Sequence, residues 1–457
     1  LQVAVDLGMV SVRRMRALAV VKVSGLLLAC GVLLAFPHGA HADTLLDALA
    51  QAYRYNPQLD AERARLRAVD EDVARANSGY RPDINASGFV SREHNKVRPD
   101  FGSGGSLSPR GYSVQAVQPL FRGFQTVNAV NAAEASVRAG REQLRSVEQE
   151  VLLSAVTAYG DVVRDQEIVR LNEANLSFLS AELKATQDRF AVGEVTRTDV
   201  AQAEARRALG QSGLDQSRAN LKSSRAVYEQ VIGQPPGRLR EADSRTSLLP
   251  RSLDEAIAIA TRENPSVVGS LYAEQAANFQ VQQIRGELLP QAQLEAGYSD
   301  VFDPSSGVEE AATGSIVGRL NVPIYPDGGE TYARVRQAKQ VHISKLQEIE
   351  QSRSVVQSRT VQAWAQLTGF RAQRESDVVQ INANQTALDG VREEEKVGQR
   401  TLLDVLNAQQ ELLNSQVQLE TTKRNVLVAT YGVVAAVGRL NVGEVGAASI
   451  VYDPEVH

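Results

Sequence analysis

The chain has 457 residues, a formal net charge of -5 and 5% aromatic residues. The charge argues against a nucleic-acid surface, and the single cysteine, Cys30, excludes a disulfide or a cysteine metal site. So few aromatic rings suit long, narrow helices with partly wet faces better than one compact core.

Arg13, Arg14, Arg16 and Lys22 flank the start of an apolar run, Val23 to Phe36, and Ala40-His41-Ala42 stands before Asp43. This order predicts a secretory signal over residues 1–42, since the run is too short to span a bilayer. Leu27-Leu28-Ala29-Cys30 offers a lipoprotein cleavage box as the alternative, although Leu28 fits it poorly. Without residues 1–42 the chain keeps 45 basic and 53 acidic residues, no cysteine, and no apolar run able to cross a membrane as a helix. Entry into a membrane would therefore require β-structure.

Leu45, Leu46, Leu49, Ala52 and Tyr53 share a face and predict a short amphipathic helix over 44–55. Asn56-Pro57 ends it, and a second helix follows to about Asn77. From Asp83 the period changes to two, which predicts a strand to about Val90. Residues 92–110 read as a polar loop; Gly102-x-Gly104 within it lacks the strand-to-helix setting of a phosphate loop. A second strand is expected over 112–118, closed by Pro119.

No proline occurs from Leu120 to Gln234, and the pattern there is helical, broken mainly at Val192-Gly193. A helix from about 124 to 190 would be roughly 100 Å long, which implies a coiled-coil-like bundle. After a linker over 234–252 the cycle recurs. Helices are predicted at 253–263 and 265–289, strands at 291–300 and 314–322 around an acidic loop at 302–312, and another proline-free helical stretch after Asp327. Val405, Leu412, Leu419, Val426 and Val433 keep a spacing of seven, the mark of a seam between supercoiled helices.

The recurrence is a sequence repeat. Asn56-Pro57 returns as Asn264-Pro265, Gln118-Pro119-Leu120-Phe121 as Val322-Pro323-Ile324-Tyr325, Val156-x-x-Tyr159 as Val361-x-x-Trp364, and Gly233 as Gly438. Two halves are read, 43–250 and 251–457, each ordered helix, strand, strand, long helical hairpin. The hairpin tips are Val192-Gly193-Glu194-Val195-Thr196-Arg197-Thr198-Asp199 and Val397-Gly398-Gln399-Arg400-Thr401-Leu402-Leu403-Asp404. Gly supplies a left-handed turn, and Thr401, with Thr196 or Thr198, is placed to cap the next helix.

Four short amphipathic strands cannot close a barrel alone, and an open edge cannot lie in lipid. Several chains would have to share one barrel. Two would give a barrel filled by side chains and three a barrel with a lumen. No HExxH, GxSxG or Walker loop is present, and nothing groups His94, His342 and His457 as ligands, so neither an enzyme nor a cofactor is indicated. A periplasmic coiled-coil adaptor or scaffold without a barrel is the alternative; it leaves the four alternating strands without a purpose.

Over essentially the whole chain after residue 42, the two-fold repeat, the Asn-Pro pairs and above all Val397-Gly398-x-Arg400-Thr401-x-x-Asp404-Val405 resemble the TolC family of outer-membrane efflux and type I secretion channels. The resemblance implies a mainly α protein with a membrane β-barrel. Three copies would share twelve strands in the outer membrane, above a long antiparallel α-helical barrel in the periplasm. It implies transport, no catalysis, and partners in outer-membrane lipid, a periplasmic adaptor (membrane fusion) protein and an inner-membrane pump of RND or ABC type. Asp404 matches the acidic ring of the pore constriction. Asn407, one helical turn later, replaces the second acid expected there and halves the ring's charge. Asp199 and Arg400 match a latch that holds the tips shut; Glu395 falls where a tyrosine is expected and is a candidate partner for Arg400. Val192, Gly193, Val397 and Gly398 match the tips that meet the adaptor.

Overall fold

The computed structural model describes residues 44–95, 105–242, 246–446 and 452–454. The predicted signal segment 1–42, Cys30, Gly102-x-Gly104 and His457 lie outside them. The order is α1 (Leu45–Tyr55), α2 (Pro57–Asn77), β1 (Asp83–Val90), β2 (Glu93–Asn95), β3 (Gly105–Leu107), β4 (Arg110–Arg122), α3 (Gln125–Ala191) and α4 (Arg197–Ile232). Then come α5 (Leu253–Glu263), α6 (Pro265–Gly286), β5 (Gln291–Ser305), β6 (Val308–Asn321), α7 (Glu330–Lys396), α8 (Leu402–Ala436) and a short α9 (Val442–Val445).

The helices α3 and α7 have 67 residues each, about 100 Å at 1.5 Å per residue. Each folds back through a tip into α4 or α8, and each packs along a shorter helix, α2 or α6. The shorter helix and the returning one meet end to end at the Asn-Pro pairs. Asn56 Nδ2 donates to the Val231 carbonyl in the last turn of α4 (3.0 Å), while Asn56 Oδ1 accepts from the Gln58 amide in the first turn of α2 (2.9 Å). Asn264 repeats both bonds, to the Ala436 carbonyl (2.9 Å) and from the Ser266 amide (2.9 Å). One side chain thus satisfies an orphan carbonyl of one helix and an orphan amide of the next, and proline at the first helical position loses no bond. The largest core lies at this level, where α1 and α9 cover α3, α4 and α8 with Leu49, Leu152, Val156, Tyr159, Ile232 and Leu440.

At the far end β1, β4, β5 and β6 form one antiparallel sheet in that order. The register gathers Ile84, Ala86, Val114, Ala116, Leu294, Ala296, Tyr298, Ile316 and Leu320, with Gln118 among them, on one mainly apolar face, and Asn85, Ser87, Ser113, Gln115, Glu295, Ser315 and Arg319, with Val117 and Val317 among them, on the other, mainly polar one. The apolar face is bare, with Ile84 65% and Ile316 77% exposed. Ser87 and Ser113 hydrogen-bond across the polar face (2.9 Å), and Arg319 grips Glu295 with two bonds (2.8 and 3.1 Å). The strands β1 and β6 each pair on one side only among the described residues.

The sheet is longer than the alternation predicts. Pro119 does not close its strand: β4 runs on to Arg122, and a register shift between Pro119 and Phe121 absorbs the missing N–H. The acidic stretch 302–312 is strand, because β5 and β6 continue through it to a tight turn at Gly307 (φ +85°). The expected loop at 92–110 contains the small β2–β3 hairpin.

Candidate functional site

Each tip joins two capping motifs within seven residues. In the first, Gly193 stands left-handed (φ +84°), its amide donates to the Phe190 carbonyl (3.0 Å), and the Glu194 amide donates to that of Arg189 (2.9 Å). In the second, Gly398 (φ +77°) donates to Glu395 and Gln399 to Glu394, both at 2.9 Å. This paired arrangement ends a helix by satisfying its last carbonyls. The next helix then starts on a reciprocal cap. Thr196 Oγ1 accepts from the Asp199 amide, and Asp199 Oδ2 accepts from the Thr196 amide and hydroxyl; Thr401 and Asp404 do the same. Of the two threonines considered in the first tip, Thr196 is the cap.

These bonds favour the charged carboxylates. Thr196's hydroxyl and then its backbone hold the Asp199 carboxyl below its ordinary value; Thr401's backbone, then its hydroxyl and the charge of Arg400, do so for Asp404. Asp404 Oδ1 accepts no hydrogen bond among the described residues.

Asp199, Arg400 and Glu395 do not touch one another within the chain. Asp199 is committed to its cap, Arg400 pairs with Glu394 (2.9 Å), and Glu395 pairs with Arg189 (2.6 Å) rather than with Arg400. Arg189 lies on α3 and Glu395 on α7, so this pair ties the two hairpins together. A second tie joins α4 to α8, where Arg206 Nη2 donates to Asn407 Oδ1 at 2.5 Å. Further in, Gln409 donates to Asn175 (3.1 Å) and the Arg392 guanidinium sits 4.5 Å from the centre of the Phe178 ring. Val192 and Val397 project at the tips, 72% and 70% exposed. Sequence reasoning missed Arg189, Arg206 and Phe178, because contacts between residues some two hundred apart depend on helix phase.

A two-faced sheet carried on helical hairpins of this length suits a protein that enters a membrane as β-structure and extends well beyond it. The comparisons agree. The family model described as outer membrane efflux protein matches twice, over residues 48–234 and 256–439. The chain is 40% identical over 420 residues to the outer membrane efflux protein BepC of Brucella suis, covering 92% of this chain and 90% of that protein. It is 25% identical over 420 residues to the outer membrane protein TolC of Vibrio cholerae, covering 88% and 92%. A crystal structure of CusC superposes with a TM-score of 0.75 at 17% identity, covering 86% of this chain and 91% of that one, a likeness of fold. The chain belongs to the outer membrane efflux protein family.

Proposed function

We propose that three copies of this chain form a channel that exports small molecules or secreted proteins across the periplasm and outer membrane. In this reading it works docked to an inner-membrane pump of RND or ABC type and a periplasmic adaptor. The observation that carries it is the sheet: one apolar face, one polar face and two open edges. Lipid tolerates the apolar face but not the edges, so the edges must be closed by other copies. Two copies supply eight strands and a filled barrel; three supply twelve and leave a lumen lined by the polar face. We read the chain as two structural repeats, 43–250 and 251–457, supported by the recurring element order and the two family matches. Asp404 and Asn407 form the constriction in this reading. Asp199, Arg400 and Glu395 act as the latch between copies, and Val192, Gly193, Val397 and Gly398 meet the adaptor.

The test is the mass of the detergent-extracted protein by light scattering after membrane fractionation. A trimer confined to the outer-membrane fraction is expected. A monomer that stays in solution without detergent would sink the shared barrel and favour a periplasmic scaffold.

A further inference from the structure

The tie between Arg206 and Asn407 carries a charge as well as a hydrogen bond. Of the other arginines near the tips, Arg189 is paired with Glu395 and Glu194 and Arg400 with Glu394, while Arg197, exposed in the first tip, forms no ion pair among the described residues. Arg206 instead meets a neutral amide, and it forms no ion pair among the described residues. Asn407 follows Asp404 by three residues on α8, so the two share a helix face about one turn apart. The guanidinium therefore stands on the face that presents the Asp404 carboxylate. It also occupies Asn407 Oδ1 at 2.5 Å, the oxygen best placed to assist a carboxylate in holding a hard divalent cation.

We propose that Arg206 is a specificity-determining residue of the channel. It offsets the negative charge of Asp404 and withholds Asn407 from cations, so that the constriction passes anionic and neutral cargo and does not trap divalent metal ions. The inference rests on the reading of Asp404 as the constriction. A ring of three carboxylates alone would draw cations. With three guanidinium groups beside it the ring carries no net charge, and a divalent ion meets repulsion where it would need a second ligand.

The experiment uses the whole trimer in planar lipid bilayers, reading the reversal potential in a KCl gradient and the block by Mg²⁺ added at the periplasmic side. Arg206→Ala is expected to raise the permeability of K⁺ relative to Cl⁻ by about fivefold, the factor for removing three unit charges about 10 Å away at about 0.1 M salt, and to confer block by Mg²⁺. Arg206→Lys should keep the wild-type potential, and Asp404→Ala should move it the opposite way. Wild-type potential and Mg²⁺ response in Arg206→Ala, with a shift in Asp404→Ala, would overturn the role of Arg206 and leave the constriction reading standing. No shift in either variant would remove the constriction reading too. A change in conductance without a change in selectivity would make Arg206 a mechanical tie only, and would equally overturn the proposal.

Discussion

Asp199 and Asp404 each close a reciprocal cap with the threonine three residues before, and each carboxyl is held below its ordinary value by that threonine. A carboxyl depressed in the folded state contributes stability that is fully present above its unfolded value, about pH 4, and is lost as pH falls through the folded value. The tip turns should therefore stay closed across the mildly acidic range and loosen only below about pH 4. Hydrogen exchange at the amides of residues 398–404 checks this. Thr401→Ala should cost about 1 kcal/mol of local stability and speed that exchange already at neutral pH. Exchange unchanged by Thr401→Ala would mean that packing, rather than the cap, holds the turn.

The elements are joined by a few side chains that do two jobs. Gly233 and Gly438 end α4 and α8 with φ of +88° and +89°, beside the asparagines that start α2 and α6. Their surroundings differ. A Cβ on Gly438 would lie 2.7 Å from the Asn264 Cα, whereas on Gly233 the nearest atom is the Tyr55 Cβ at 3.1 Å. Both alanine variants carry the left-handed penalty of about 1–2 kcal/mol. Gly438→Ala should lose about 1–3 kcal/mol more, because backbone cannot move aside as a side chain can. Thermal melts of the two purified variants measure the difference, and equal losses would refute it. These joints were legible in the sequence because glycine and Asn-Pro mark backbone geometries that few other residues adopt. Pro119 misled for the same reason in reverse: a proline usually ends a ladder, but here a bulge carries the strand past it. The acidic run at 302–312 looked solvated because its strands face away from any core within one chain. The ties of Arg189 to Glu395 and Arg206 to Asn407 left no local signal at all.

At the scale of the whole molecule, the proposed gate would be a competition among exposed charges. Arg400 is held by Glu394 within its own chain, an exposed pair that contributes little and is readily exchanged. In the proposed trimer Asp199 of a neighbouring copy competes for it, and the closed tip persists only while that exchange is favourable. Asp199→Ala combined with Arg400→Ala should raise the conductance of the channel without its pump. A double variant that conducts like wild type would exclude these residues as the latch.

The open edges of β1 and β6 also reach into genetics. In the proposed trimer, a ring that closes only through its neighbours has no private copy of its wall, so one chain with a damaged edge spoils the ring it joins. If copies mix at random in a ring of three, equal amounts of sound and damaged chain leave only about one wholly sound ring in eight. Edge mutations in this protein should therefore behave as dominant in that assembly.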